Sequence, residues 1–280
     1  MSKNKWLQGL KQTEQELRKK PMVSAWYLFL RAGIIICLIA QFFNRNFENM
    51  FLCVLSLVLL LMPTVLERQL KVDFPETLEI IIMLFIFAAE ILGEIRSFYV
   101  TYPHWDTMLH TMNGFLCAAI GLSRVDFFNR NERFSLKLSP AFMAIVAFCF
   151  SMTIGVLWEF FEYSMDQFLL FDMQKDTVVH AFSSVTLDPT ASNIPITIKN
   201  ITDVIVVADG KEITLGLGGY LDPGLHDTMA DLFVNFIGAI VFSIIGYFYV
   251  KSRGEGKFAK RFIPKILQER EMEDAGMERE

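Results

Sequence analysis

Apolar runs of about twenty residues alternate along the chain with short charged segments, without the regular polar face of a soluble amphipathic helix. A helix needs roughly 20 mainly apolar residues to cross about 30 Å of hydrocarbon. The runs that approach this length cover residues 23–43, 50–66, 78–95, 107–123, 141–163 and 225–250. The pattern therefore predicts an all-α polytopic membrane protein, a bundle of about six transmembrane helices.

Lysine and arginine positions predict the orientation of this bundle. Most of the 26 basic residues lie before the first run, in the loops after the second and fourth runs, and after the last run. The positive-inside rule places these segments in the cytoplasm, so both termini are expected there, in a multi-pass protein of the cell membrane. Arg31 lies within the first run, and we expect its guanidinium to snorkel to the inner surface.

These runs and charges predict five segments. Residues 1–20 are a cytoplasmic basic segment, which forms either an amphipathic helix on the membrane or a solvated tail. Residues 21–166 carry the first five transmembrane helices, and residues 225–250 form the sixth. Residues 167–224 form a long extracytoplasmic loop, and residues 251–280 a cytoplasmic charged tail whose acidic end is expected to be frayed.

The long loop has the pattern of short β-strands. Residues 194–198 alternate apolar side chains with polar residues or proline. Two strand-like runs, 203–207 and 211–215, flank Asp209-Gly210, and Asp-Gly between such runs favours a β-hairpin. We expect a small β-rich cap over the outer mouth of the bundle.

Cysteines and short motifs exclude several kinds of site. The cysteines lie singly in predicted spans and show neither the spacing of a metal pair nor that of a disulfide framework; they are Cys37, Cys53, Cys117 and Cys149. The sequence lacks a His-Glu-x-x-His zinc motif, a nucleophile elbow, a phosphate-binding loop and a Cys-x-x-Cys pair. The expected partner is the lipid bilayer, and no nucleic acid is expected.

Ionisable residues gather at the non-cytoplasmic ends of four predicted helices. They are Glu90 and Glu94, then His104, Asp106 and His110, then Glu159, Glu162 and Asp166, and finally His226, Asp227 and Asp231. Residues three or four apart share a helix face, so each helix presents one polar stripe. Because a charged carboxylate at the bilayer centre costs about 2.5–3.5 kcal/mol on insertion scales, we expect the stripes to face one water-accessible cavity.

Carboxylates combined with imidazoles suit a divalent metal ion, whose identity the sequence leaves open. The predicted metal ligands are Asp106, His110, Glu162 and Asp231. The predicted catalytic groups are Glu159, Glu162, Asp227 and Asp231. They indicate a metal-dependent enzyme or binding protein that acts on lipid or cell-envelope head groups. Two alternatives stay open: a transporter of protons or divalent cations, and a non-catalytic structural membrane protein.

Several of these residues also have a structural interpretation. Asp106 and Asp227 either line the site or act as first-turn acids that oppose the helix dipole. Asn113 and Asn235 are expected to form hydrogen bonds between helices, which is the usual role of a buried amide in a membrane.

Three segments together resemble the YjdF-like family of bacterial membrane proteins. They are residues 104–110 (HWDTMLH), residues 158–162 (WEFFE) and residues 227–232 (DTMADL), the last followed by Asn235 and Gly238. This resemblance covers roughly residues 50–250, and it implies a membrane fold without an established activity. The spacing of Asp231, Asn235 and Gly238 is also distantly similar to VanZ-like proteins. Those proteins are linked to tolerance of glycopeptide antibiotics, which implies action at the outer leaflet or cell wall. This chain differs from the shorter members by its long loop, residues 167–224.

Overall fold

The computed structural model describes residues 20–70, 72–130 and 137–266. The predicted N-terminal segment, Lys20 apart, and the acidic end of the tail lie outside the described residues. The chain divides into two compact units. The first comprises Met1–Gly155 and Val234–Glu280, and the second comprises Val156–Phe233.

Most of the described residues are helical. The α-helices are α1 Pro21–Phe43, α2 Phe47–Leu59, α3 Met62–Leu70, α4 Glu76–Phe87, α5 Phe98–Thr101, α6 Trp105–Arg130, α7 Pro140–Leu169 and α8 Leu225–Lys251. Helix α4 continues directly into a π-helix, Ala88–Ile95. Each of the apolar runs lies in helical structure, but the second run is divided between α2 and α3. Pro63 in the first turn of α3 has no N–H for the carbonyl of Leu59, which explains why the helix breaks there.

Among the residues that the structure describes, four stretches are long and apolar enough to cross a membrane: Pro21–Phe43, Phe47–Glu67, Pro140–Leu169 and Leu225–Lys251. Their large apolar side chains are widely exposed, as for Phe29 (69%) and Ile36 (68%) in α1. Such surfaces suit contact with lipid, where all the backbone hydrogen bonds must be made within the helix. The prediction of apolar membrane helices is confirmed for these four, while a total of six spans and the orientation of the termini stay predictions.

In the first unit, Lys20 links the start of α1 to α3, to the start of α4 and to the segment between them. Its Nζ lies 3.0 Å from a carboxylate oxygen of each of Glu67, Asp73 and Glu79. It also donates a hydrogen bond to the carbonyl of Phe74, over 2.7 Å. Burial alone would lower the pKa of Lys20, but Glu79, Glu67 and Asp73 together raise it above its ordinary value.

The chain beyond α8 folds back within the first unit. Ala259 and Ile263 are buried in one apolar cluster with Leu122 and Phe242. Ser123 Oγ donates a hydrogen bond to the carbonyl of Pro264 over 3.1 Å. Strand β8 (Lys265–Ile266) then pairs antiparallel with β1 (Val72–Asp73), which precedes α4.

The loop in the second unit contains three antiparallel strand pairs. Strand β2 (Thr177–Val179) pairs with β7 (Tyr220–Asp222), β3 (Ala181–Ser184) with β4 (Ile196–Lys199), and β5 (Ile205–Ala208) with β6 (Lys211–Thr214). The β5–β6 hairpin turns through Asp209 and Gly210, whose φ angles of 53° and 72° suit the predicted two-residue turn. The small strand pairs in this loop are confirmed, and their place over the bundle stays a prediction.

Candidate functional site

The start of α6 carries an aspartate and a histidine one helical turn apart. Asp106 lies in the first turn, where a carboxylate opposes the helix dipole favourably. Its Oδ1 is 3.5 Å from His110 Nε2, and the His110 side chain is only 8% exposed. At this distance the contact is electrostatic rather than a short hydrogen bond.

The end of α7, in the second unit, buries two glutamates three residues apart. Glu159 is 4% exposed and Glu162 is 7% exposed. A carboxylate oxygen of Glu159 and one of Glu162 lie within 4.8 Å of one another. Phe160 and Phe161, between them, are 62% and 45% exposed. The helix therefore presents its acids to the protein and its aromatic rings outward, as expected for a polar stripe on one face.

Trp158 contacts one of these glutamates directly. Its indole Nε1 donates a hydrogen bond to Glu162 Oε1 over 2.8 Å. This hydrogen bond orients one carboxylate oxygen of Glu162. The sequence motif contained Trp158, but its role in orienting Glu162 was not predicted, because an i,i+4 indole contact depends on the rotamers of both side chains.

Asp231 and Asp227, both at the start of α8 in the second unit, have different surroundings. Asp231 is 4% exposed. Asp227 lies in the first turn of the helix, and its Oδ2 accepts a hydrogen bond from the backbone N–H of Lys175 over 2.6 Å. Asp227 thus lies where a first-turn acid opposes the helix dipole, as one of the two predicted interpretations requires. Its carboxylate also anchors the loop at Lys175.

Asp166 holds the same loop from the other side. Its two carboxylate oxygens accept hydrogen bonds from the backbone N–H groups of Met173 and Gln174, over 2.7 and 2.8 Å. Gln174 is itself buried, and its side-chain amide donates to the Thr228 hydroxyl. Asp166 and Asp227 thus clamp residues 173–175 between the end of α7 and the start of α8, a role that sequence analysis missed.

The other ionisable residues singled out in the sequence lie on the π-helix, before α6, in the loop and at the start of α8. Glu90 and Glu94 lie on the π-helix after α4, Glu90 half-buried and Glu94 exposed. His104 is exposed and precedes α6 with a left-handed φ of 67°. The ring of His180 lies 3.1 Å from the carbonyl of Ile201 within the loop, and His226 is exposed.

Aspartates in the loop of the second unit have perturbed pKa values. Burial raises the pKa of Asp176, and the neighbouring carboxylates of Asp172, Asp166 and Asp222 raise it further. Asp188 behaves in the opposite way, because hydrogen bonds from the hydroxyl and backbone of Thr190 lower its pKa to about 2. Both shifted groups lie in the loop between α7 and α8.

These features define the class of the molecule as a helical membrane protein. Two of its candidate spans, α7 and α8, carry buried acidic side chains. The chain belongs to the DUF2238 family of predicted membrane proteins, which matches residues 26–252. An uncharacterized protein of Thermotoga maritima (strain MSB8) is similar: it is 26% identical over 107 residues, 38% of this chain and 53% of that protein. The chain thus matches about half the length of that relative. No solved structure matches the chain.

Proposed function

We propose that this protein has six membrane spans with both termini in the cytoplasm, and that its acids and His110 bind a divalent cation at the non-cytoplasmic side. The cation would serve chemistry on a lipid or cell-envelope head group. We also propose that the chain is related to YjdF-like proteins and, more distantly, to VanZ-like proteins. The resemblance to VanZ-like proteins supports action at the outer leaflet. The observation that carries the proposal is the burial of Glu159 and Glu162 side by side.

Two ionised carboxylates within 4.8 Å of one another repel, and the repulsion is strong when both are buried. Such a pair becomes favourable when one group keeps a proton or when a cation binds between them. A divalent cation compensates both charges at once and prefers carboxylate oxygens as ligands. The indole of Trp158 fixes the orientation of Glu162, as a group outside the ligand shell commonly does for metal-binding carboxylates.

The further ligands of the proposal are Asp231 in the second unit and the Asp106–His110 pair in the first. Asp231 adds a third buried carboxylate. An imidazole with carboxylates suits ions such as Mn²⁺, Fe²⁺ or Zn²⁺ better than Ca²⁺. The acid–base groups would be Glu159 and Asp231. For Asp227, the hydrogen bond from Lys175 supports a positioning role rather than proton transfer.

Among the functions left open by the sequence, transport receives less support. A transporter needs a polar path that continues to the cytoplasmic side. In the first unit the ring of Phe115 packs against those of Phe242 and Phe262, with centroids 4.9 and 5.1 Å apart. These three rings offer no polar group to such a path within the first unit.

Metal analysis of the purified full-length protein tests the proposal. We expect a stoichiometric divalent metal in the wild type, and its loss in both Glu162→Gln and Asp106→Asn. Glu212→Gln is the matched control, because Glu212 is exposed on the β6 strand of the loop. Thermal unfolding with added Mg²⁺, Ca²⁺, Mn²⁺ or Zn²⁺ gives a second readout, and we expect stabilisation by at least one ion.

The outcomes separate the parts of the proposal. Loss of metal in Glu162→Gln alone would restrict the ligands to the second unit and remove Asp106 and His110 from the site. Absence of metal from the wild type, together with unchanged thermal stability on adding each ion, would refute the cation site altogether. The role of the buried acids would then be structural.

A further inference from the structure

An arginine occupies the middle of the first candidate span. Arg31 lies about ten residues after Pro21 and about twelve before Phe43, roughly 15 and 18 Å along α1 at 1.5 Å per residue. Since hydrocarbon is about 30 Å thick, its Cα lies near the mid-plane of a membrane that α1 crosses. The residue is nevertheless exposed in the structure.

The sequence predicts that the Arg31 side chain snorkels to the membrane surface, but in the structure it reaches only as far as Tyr27. The guanidinium Nη1 donates to the hydroxyl of Tyr27, one turn closer to the start of α1, and lies 5.6 Å from the centre of the Tyr27 ring. Tyr27 is itself about six residues, roughly 9 Å, inside the helix start. The charge therefore stays at a depth in the hydrocarbon where a charged side chain is unfavourable unless it is paired.

The surface around this charge is apolar and uncovered. Leu28 and Ile35, three residues before and four residues after Arg31, share its face of the helix and are 60% and 39% exposed. We call Leu28, Arg31 and Ile35 the Arg31 face. Gly33 lies farther round the helix, and a methyl group there would meet nothing within 4 Å. A surface of this composition fits a partner that is apolar and carries one anionic group.

We propose that the Arg31 face docks a transmembrane helix of a partner protein that carries an Asp or Glu near the middle of the bilayer. Charged side chains within membranes pair with one another, and a guanidinium pairs with a carboxylate through two parallel hydrogen bonds. The phosphate of an anionic lipid lies at the interface, roughly 15 Å from the mid-plane, and cannot reach this depth.

A second copy of the chain fits less well. A parallel two-fold pairing through α1 would bring Arg31 against its own symmetry mate, and like charges at this depth repel. Among the described helices, the exposed acids lie in a first or last turn; they are Glu48, Glu76 and Glu94. The described part of a second copy therefore offers no exposed carboxylate at the depth of Arg31.

Site-specific photo-crosslinking in cells that make the full-length protein tests this docking. We would place p-benzoylphenylalanine at Ile35, beside Arg31, and at Val241 as a control, because Val241 is 45% exposed on α8. The adduct from position 35 should contain an apolar transmembrane peptide of another protein with a central Asp or Glu. Its yield should fall at least tenfold in Arg31→Leu and persist in Arg31→Lys. Position 241 should not yield this adduct.

A charge exchange completes the test. Arg31→Glu should abolish the adduct, and replacing the partner's acid with arginine should restore it. An adduct with a second copy or with lipid alone, an unchanged yield in Arg31→Leu, or no adduct at all would each overturn the proposal. Thermal unfolding of Arg31→Leu, expected to match the wild type, excludes a simple loss of fold as the cause of a lower yield.

Discussion

Asn113 and Asn235 meet between α6 and α8, where Asn113 Nδ2 donates a hydrogen bond to Asn235 Oδ1 over 3.2 Å. Asn235 is 1% exposed, so this hydrogen bond links the two helices at a buried position, as the sequence predicts for these amides. Glycines allow the two backbones to come this close. A Cβ on Gly114 would lie 2.1 Å from the carbonyl oxygen of Asn235, and a Cβ on Gly238 would lie 2.1 Å from that of Thr111.

Gly238→Ala should therefore destabilise the first unit strongly. The added methyl meets a backbone oxygen, which cannot rotate away, so α6 and α8 must move apart. We expect a loss of about 2–3 kcal/mol, the upper range for overpacking a close contact. Thermal unfolding in lipid nanodiscs measures the change. Gly33→Ala is the control, because its Cβ would meet nothing within 4 Å; equal effects of the two variants would argue against this close approach.

The sequence was sufficient to predict features that depend on neighbouring residues. The apolar runs predict the helices because a membrane demands length and apolarity within one segment. The β5–β6 hairpin follows from Asp209-Gly210, since the φ angles of the turn restrict the residues that it accepts. The break between α2 and α3 also has a local signal in Pro63, although the apolar run by itself predicts one continuous helix.

Contacts between residues that are distant along the chain could not be predicted, because no short sequence pattern specifies them. The carboxylates of Glu67 and Glu79 that contact Lys20 lie 47 and 59 residues along the chain, and any of many acids could have supplied the charge. The partner of Asp227 is a backbone N–H, a group that every residue except proline carries. The β2–β7 pair joins Thr177 to Asp222 and depends on how the whole loop folds. Such contacts are decided by tertiary structure.

Lys20→Met should weaken the link between α1 and the start of α4. Removing the cation leaves three carboxylates together at partly buried positions, and breaking a buried ion pair costs about 3 kcal/mol or more. Thermal unfolding in nanodiscs at neutral pH measures this loss. Lys211→Met, on the exposed hairpin, should change the stability by less than about 0.5 kcal/mol. Equal stability of the two variants would show that the charges near Lys20 are screened.

The pH dependence of this link follows from the raised pKa of Lys20. A lysine whose pKa is raised by folding contributes its full stability below its unfolded pKa of 10.5, and loses it as the pH rises through the folded pKa. The stability difference between wild type and Lys20→Met should stay constant from about pH 7 to pH 9 and narrow only above about pH 10.5. A difference that already vanished near pH 8 would contradict the raised pKa.

Asp227→Ala should loosen the loop of the second unit. Without the carboxylate, the N–H of Lys175 loses an acceptor, and hydrogen bonds to charged groups contribute about 1.5–3 kcal/mol. Hydrogen exchange at Lys175 should accelerate about tenfold or more, as measured by mass spectrometry of peptides from residues 170–180. Asp227→Asn keeps an oxygen acceptor and should change exchange little. If Asp227→Asn removed a head-group activity while exchange stayed slow, the residue would act in proton transfer rather than in positioning the loop.

Trp158→Phe should lower the affinity for a divalent cation without removing the cation site. The variant keeps an aromatic ring on α7 but loses the Nε1 donor that holds Glu162 Oε1. Groups that orient a ligand in this way commonly change metal affinity by roughly 10- to 100-fold, and calorimetric titration with Mn²⁺ measures the change. Trp105→Phe is the matched control, because Trp105 Nε1 is buried without a hydrogen-bond partner among the described residues. Equal affinities of Trp158→Phe and the wild type would show that Glu162 needs no such orientation, whereas a similar loss in Trp105→Phe would indicate a general effect of the substitution.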